Sequence, residues 1–213
     1  MNILITPSIL SADLGCLEDE IKSVEPYADW LQVDVMDGHF VPNLSFGAPV
    51  LKNLKTTLPL DIHLMVENPE DRLQEFVDIG AAHITFHSEA VPLEADQEAL
   101  LHKIRSFGLT AVIAIKPATP LSDVHSLLSN IDLLLIMSVE PGFGGQAFLP
   151  DVLSKVREAR KEFPDLMIQM DGGIDESTAP LCIEAGATNL VSGSYIFSSD
   201  DRKSAIASLR PHA

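Results

Sequence analysis

Residues 31–43, Leu-Gln-Val-Asp-Val-Met-Asp-Gly-His-Phe-Val-Pro-Asn, begin as a β-strand and end in a cluster of acid and base groups. Successive strand side chains point to opposite faces. Leu31, Val33 and Val35 therefore share one face, and Gln32, Asp34 and Met36 share the other. The aliphatic face belongs against helices, which turns Gln32 and Asp34 toward the inside of a barrel. Asp37-Gly38 reads as the turn that ends the strand.

Working outward, strand-like runs recur near residues 3–9, 30–36, 60–65, 82–87, 110–115, 132–138, 167–171 and 188–192, with helix-like patterns between them. Leu14, Leu17, Ile21 and Val24 fall on one helical face. Asn68 as N-cap, with Pro69 in the first position, opens a helix that turns Leu73, Phe76 and Val77 inward and stops at Gly80. Another starts at Pro150, with Val152, Val156 and Ala159 on one side, and a third runs from Asp175 to Gly186. Strands rich in Val, Ile and Leu that alternate with helices form a parallel sheet covered by helices. A doubly wound sheet and a barrel both fit that alternation. Eight strands in 213 residues favour closure, so the expectation is one α/β domain over residues 1–213, a single (β/α)8 TIM barrel.

Composition narrows the function. A net charge of −17 without a Lys/Arg cluster excludes a nucleic-acid surface. Any anionic substrate must be held locally, against the mean field. No apolar run approaches the roughly 18 residues of a membrane span, and the opening NILITPSIL reads as a strand broken by Pro7, not a signal peptide. Cys16 and Cys182 read as core or near-core thiols of a reducing compartment. The chain is expected to be cytoplasmic, with no membrane partner.

In such a barrel the chemistry collects where strands end and βα loops begin. Ser8, Asp34, His63, His87 and Asp171 stand at five of those ends. Asp61, His63 and Met65 share the inward face of the third strand. Inward carboxylates cost free energy unless they are paired or bound to a cation. Met36, Met65, Met137 and Met170 read as gap fillers near the same ends. Glycine supplies the second signal: PGFGG (141–145), DGGI (171–174) and Gly193-Ser194 follow the sixth, seventh and eighth strands. Glycine lets backbone N–H groups approach an anion, and a short helix starting at Ser194 would add its dipole. None of the three segments holds a Lys or Arg, so backbone amides would hold a phosphate there.

These residues carry a resemblance. The segments PSILSADL (7–14), VDVMDGHFVPN (33–43), DIHLMVENPE (61–70), HSEA (87–90), SVEPGFGGQAF (138–148), DGGI and VSGSYIF (191–197) resemble the ribulose-phosphate 3-epimerase family in the same order along nearly the whole chain. The resemblance implies an isomerase of the pentose phosphate pathway that interconverts D-ribulose 5-phosphate and D-xylulose 5-phosphate. It implies that Asp34 and Asp171 are the acid/base pair, with Ser8, His63 and the glycine loops (Gly142, Phe143, Gly144, Gly145, Gly172, Gly173, Gly193, Ser194) on the substrate. Met36, Met65 and Met137 would pack around the planar intermediate. One divalent metal ion per chain, of the zinc, ferrous iron, manganese or cobalt class, would be bound by Asp34, His63 and Asp171. The family's fourth ligand is a histidine, and this chain has Gln32 there. A neutral amide oxygen suits harder cations better than imidazole does. Family members are homo-oligomers.

Two further readings stay open. The same chemistry would serve a six-carbon ketose phosphate such as allulose 6-phosphate. Gln32 also admits a metal-free relative that binds a sugar phosphate without turnover. A decarboxylase of the orotidine-phosphate kind is set aside, since it requires Asp-x-Lys at the strand end and Val35-Met36 follow Asp34.

Overall fold

The computed structural model describes residues 2–211. Eight strands follow the expected order: β1 (Leu4–Pro7), β2 (Leu31–Met36), β3 (Leu60–Met65), β4 (His83–His87), β5 (Thr110–Ile115), β6 (Leu133–Met137), β7 (Met167–Asp171) and β8 (Asn189–Ser192). The helices are α1 (Leu17–Val24), α2 (Ala48–Leu51), α3 (Leu73–Asp78), α4 (Glu94–Ser106), α5 (Leu153–Glu162), α6 (Ala179–Ala185), α7 (Ser194–Phe197) and α8 (Arg202–Ser208).

All strand pairs are parallel, in the order β1-β8-β7-β6-β5-β4-β3-β2. The seam between β1 and β2 is closed more thinly, by a parallel bridge between Ser8 and Gln32. Beside it, Asp29 accepts the Ile5 N–H through Oδ2 at 2.7 Å and donates its own N–H to Ile5 O at 3.0 Å. The seam matters for the site because it sets Ser8 next to the Gln32–Asp34 face. The chain is thus a (β/α)8 TIM barrel.

Two apolar layers fill it. The outer one, between strands and helices, holds Val33, Ile62, Phe76, Ile104 and Ile113, all at 0% exposure. Inside the barrel, Val112, Ala114, Leu133, Leu135 and Met137 form a separate cluster on one half. The other half is polar: Thr6, Gln32, Asp61, Thr85, Gln169 and Asn189 are all buried. Gln169 Nε2 reaches across to Asp61 Oδ2 at 2.7 Å. Burial, only partly offset by that bond, pushes the Asp61 carboxyl up to about 6.

Several local expectations change. The crossover between β5 and β6 is built of 3-10 turns (Leu121–Asp123 and His125–Asn130). Its buried residues Leu121, Val124 and Leu127 are spaced three apart, which a three-residue turn stacks on one face. Asn68 makes no side-chain cap bond, because a 3-10 turn (Pro69–Arg72) precedes α3. Leu73 and Phe76 are buried as expected, while Val77 is only partly so. Leu14 and Cys16 lie in a 3-10 turn before α1 and are exposed, whereas Cys182 is buried in α6. Asp175 opens a turn whose N–H groups it accepts, and α6 itself starts four residues later, ending at Gly186 with φ +115°.

Candidate active site

Asp34 ends up in the densest set of hydrogen bonds in the barrel. Its Oδ2 accepts from Ser8 Oγ. Its Oδ1 accepts from Gln32 Nε2 at 3.0 Å and lies 2.9 Å from His63 Nδ1. The strand end is pinned by Ser45, whose Oγ donates to Asp34 O at 2.5 Å and accepts the Met36 N–H at 2.9 Å. Asp171 comes from the far side, at the end of β7. Its Oδ2 accepts from Gln32 Nε2 at 2.8 Å and stands 3.6 Å from His63 Nδ1. Burial, and then the neighbouring Asp34 charge, push the Asp171 carboxyl up to about 7. A group held there takes up and releases protons readily at neutral pH.

The donors of Asp34, His63 and Asp171 lie within 4.8 Å of one another, a group able to hold one metal ion. Two details of the chain test that fit. His63 is 1% exposed and sits between the carboxylates, with Nε2 engaged by His87 at 2.8 Å. Burial alone would depress its basicity, but the bond to Asp34 and the charges of Asp34, Asp171 and Asp61 outweigh it and raise its pKa. The spot at Nδ1 therefore attracts a positive charge. The second detail is Gln32, at 0% exposure. Its Oε1 has no hydrogen-bond partner among the described residues. Turned over about its last torsion, the amide would aim that oxygen at the space between the carboxylates. A divalent cation fits this donor set, with two carboxylates, one imidazole and one orphaned amide oxygen.

Above these groups opens a cleft of about 540 Å³, including its mouth. Ser8, Met36, Met65, Met137, Gly142, Phe143, Gly144, Gly145, Gly172, Gly173, Gly193 and Ser194 line it with the two aspartates, as expected. Met170 does not; it faces the helices in the outer layer. His63 lies below the lining, reaching the cleft only through its carboxylate neighbours. Asp37 is scaffold: it accepts the N–H groups of His39, Phe40 and Glu67 at 2.8–3.0 Å, and His39 is exposed.

At three of the loop glycines, Gly172, Gly173 and Gly193, no side chain would fit without a shift of its neighbours. At Gly173 (φ +64°) a Cβ would stand 2.7 Å from Phe148 N, and at Gly193 it would stand 2.6 Å from Ser11 Oγ. The N–H groups of Gly144, Gly145, Gly173, Gly193 and Ser194 have no protein acceptor among the described residues. Five free donors on one rim suit an oxyanion. Lys116 turns away, its Nζ 4.0 Å over the Phe40 ring. Ser11 was missed in the sequence although it lies within PSILSADL; the packing of its hydroxyl against Gly144 and Gly193 has no local signal.

The sequence pattern described as the ribulose-phosphate 3 epimerase family matches residues 4–197. The ribulose-phosphate 3-epimerase of Mycobacterium leprae is 46% identical, covering 100% of this chain and 96% of its own length. That of Bacillus subtilis is 43% identical, with 98% of each covered. That of Methanocaldococcus jannaschii is 44% identical, covering 99% of this chain and 91% of its own. Among solved structures, 3-keto-L-gulonate-6-phosphate decarboxylase from Vibrio cholerae superposes with a TM-score of 0.73 at 16% identity, over 98% of this chain and 96% of that one. A 3-hexulose-6-phosphate synthase gives 0.70 at 15%, over 97% and 98%. Those two likenesses are of fold alone. The sequence relatives carry more, since they span the strand ends and glycine loops from which the cleft is built, and by them the chain belongs to the ribulose-phosphate 3-epimerase family.

Proposed function

We propose that the cleft inverts C3 of D-ribulose 5-phosphate, giving D-xylulose 5-phosphate, with Asp34 and Asp171 as its two proton carriers. The observation that carries this reading is the convergence of the two carboxylates from β2 and β7 on one amide and one imidazole, beneath a rim of free N–H groups.

Inversion next to a ketone requires removal of a weakly acidic proton from one face and delivery to the other. Asp34, accepting from Ser8 Oγ and Gln32 Nε2 and lying against His63 Nδ1, is presented as the base, and Asp171, pushed up to about 7, carries the proton to be delivered. In the reverse direction the roles exchange. Met36, Met65 and Met137 pack against the planar intermediate and keep water out without offering a proton. The phosphate is taken by the N–H groups of Gly144, Gly145, Gly173, Gly193 and Ser194. Asp34, His63 and Asp171 would hold one divalent ion, with Gln32 Oε1 beside them. When bound, that ion supplies Lewis acidity to the carbonyl and the neighbouring hydroxyl.

The bridging amide supports a second reading. Gln32 Nε2 already binds both carboxylates, so the chain could hold a sugar phosphate in a metal-free state without turnover. A coupled assay on ribulose 5-phosphate, with metal content measured on the same sample, separates the two. Turnover lost on chelation and restored by added metal supports the first; full turnover in chelator contradicts the metal's role. A homo-oligomeric enzyme in the cytoplasm completes the proposal. A rice relative is named as a cytoplasmic isoform, and no helix among the described residues is long and apolar enough to cross a membrane.

A further inference from the structure

Glu89 takes no part in the cleft, yet it ends a hydrogen-bonded line that starts at the carboxylates. His63 Nε2 lies 2.8 Å from His87 Nε2, and His87 Nδ1 lies 3.3 Å from Glu89 Oε2. Two imidazole nitrogens at 2.8 Å must share one proton, because two lone pairs repel and two N–H groups collide. Which ring owns that proton is decided at the far end of the line.

Glu89 is a carboxylate and only accepts. Burial opposes its charge, but bonds from His87, Thr119 and the Lys116 N–H outweigh burial and hold it at about 2. Its Oε1 accepts the Lys116 N–H at 2.7 Å and the Thr119 hydroxyl. Oε2 is left for His87 Nδ1–H. His87 is 0% exposed and meets one carboxylate, at 3.3 Å, whereas His63 Nδ1 faces two, at 2.9 and 3.6 Å, so the positive charge of any extra proton settles on His63 and the His87 ring stays neutral. A neutral ring with its proton on Nδ1 has a bare Nε2. The shared proton therefore belongs to His63 Nε2, which leaves His63 Nδ1 facing Asp34 and Asp171.

We propose that His87 and Glu89 are positioning residues that fix the tautomer of His63, so that its Nδ1 lone pair faces the cation. The inference rests on the reading of Asp34, His63 and Asp171 as a metal site. Histidine ligands commonly have their second nitrogen tied to a carboxylate or carbonyl, and loss of that partner typically costs 10–100-fold in metal affinity. Here the carboxylate acts through an intervening imidazole.

Glu89→Gln reverses the line. The amide oxygen must stay at the Oε1 place to receive the Lys116 N–H, so the NH2 faces His87 Nδ1. His87 then accepts at Nδ1, carries its proton on Nε2 and donates it to His63 Nε2. His63 is left with N–H on Nδ1, pointing into the metal's place. Thr119→Val is the control: it removes a bond to Glu89 Oε1 without changing what His87 sees.

The test is ¹⁵N NMR of the histidine rings in the metal-free chain, paired with Mn²⁺ and Zn²⁺ affinity by calorimetry. The unmodified chain and Thr119→Val should show His87 protonated on Nδ1, with equal affinities. Glu89→Gln should show it on Nε2, with affinity lower by about 10–100-fold. A His87 proton on Nε2 in the unmodified chain overturns the inference, even if the variant fails to fold. So does an unchanged affinity in Glu89→Gln once the tautomer has switched. If the unmodified chain binds neither ion, the metal assignment falls, and with it the role given to Nδ1. The tautomer result then still reports the hydrogen-bonded line by itself.

Discussion

Gln32 Nε2 lies 2.8 Å from Oδ2 of Asp171, 139 residues away in sequence, and joins that carboxylate to Asp34, two residues along its own strand. One neutral amide thereby holds together the two acids proposed to carry the protons. It is also the residue that stands where the resemblance implies a fourth, histidine ligand.

If both acids move protons, neither can be spared. Asp34→Asn and Asp171→Asn should each lower kcat by at least ~10². Turnover is to be followed in both directions, with metal content determined for each variant because both residues are also proposed ligands. Near-normal turnover in either variant, at normal metal content, removes the two-base mechanism.

The phosphate reading puts its weight on backbone donors. Gly193→Ala drives a Cβ toward Ser11 Oγ and displaces one of them. It should raise KM for the sugar phosphate at least ~10-fold while leaving the metal affinity unchanged, since lost polar contacts of this kind cost about 1–3 kcal/mol each. A crystal structure with bound phosphate should place the anion on Gly144, Gly145, Gly173, Gly193 and Ser194. An anion clamped by Lys116 would contradict the assignment.

Asp37 sits three residues after Asp34 and has the look of a catalytic acid, yet its bonds are all to backbone. Asp37→Ala should lower stability by about 1 kcal/mol, read by urea unfolding, through loss of those partly exposed acceptors. kcat should be little changed in the protein that remains folded. A catalytic collapse without loss of stability would make Asp37 part of the chemistry.

At the opposite end of the barrel, His83 stacks on Trp30 with centroids 3.8 Å apart, and neither ring nitrogen has a partner among the described residues. Burial pushes its pKa down from 6.5 to about 4. The folded chain then binds fewer protons than the unfolded one below pH 6.5. The stability due to neutral His83 is present above 6.5 and is lost as the pH falls from there through about 4. His83→Phe should flatten that part of the stability profile. Equal acid sensitivity in both proteins would show that His83 does not set it.

Much of this was legible in one dimension. Period-two alternation in residues 31–36 and 61–65 put Gln32, Asp34 and His63 inside, and three glycine loops marked the rim of free N–H groups. Asp37 was correctly read as a turn because Asp-Gly has a local reason to bend. What was not legible depends on long-range packing or on a different helical period. Leu121, Val124 and Leu127 repeat every three residues and build 3-10 turns. Leu14 fits a helical face, but the helix starts only at Leu17. The line from His63 through His87 to Glu89 needs the register of β3 against β4, which pairs His63 with Thr85 and brings the strand-end histidine alongside.

The measurement closest to the central claim is a calorimetric titration of the unmodified chain and of Gln32→His with Mn²⁺ and Zn²⁺, with turnover followed in parallel. The account predicts one site per chain in both proteins and activity that requires metal. Zinc affinity should rise at least ~10-fold in Gln32→His, and manganese affinity should change less, because imidazole favours zinc over harder ions. Binding only in Gln32→His, with none in the unmodified chain at millimolar metal, would contradict it and leave a metal-free sugar-phosphate binder.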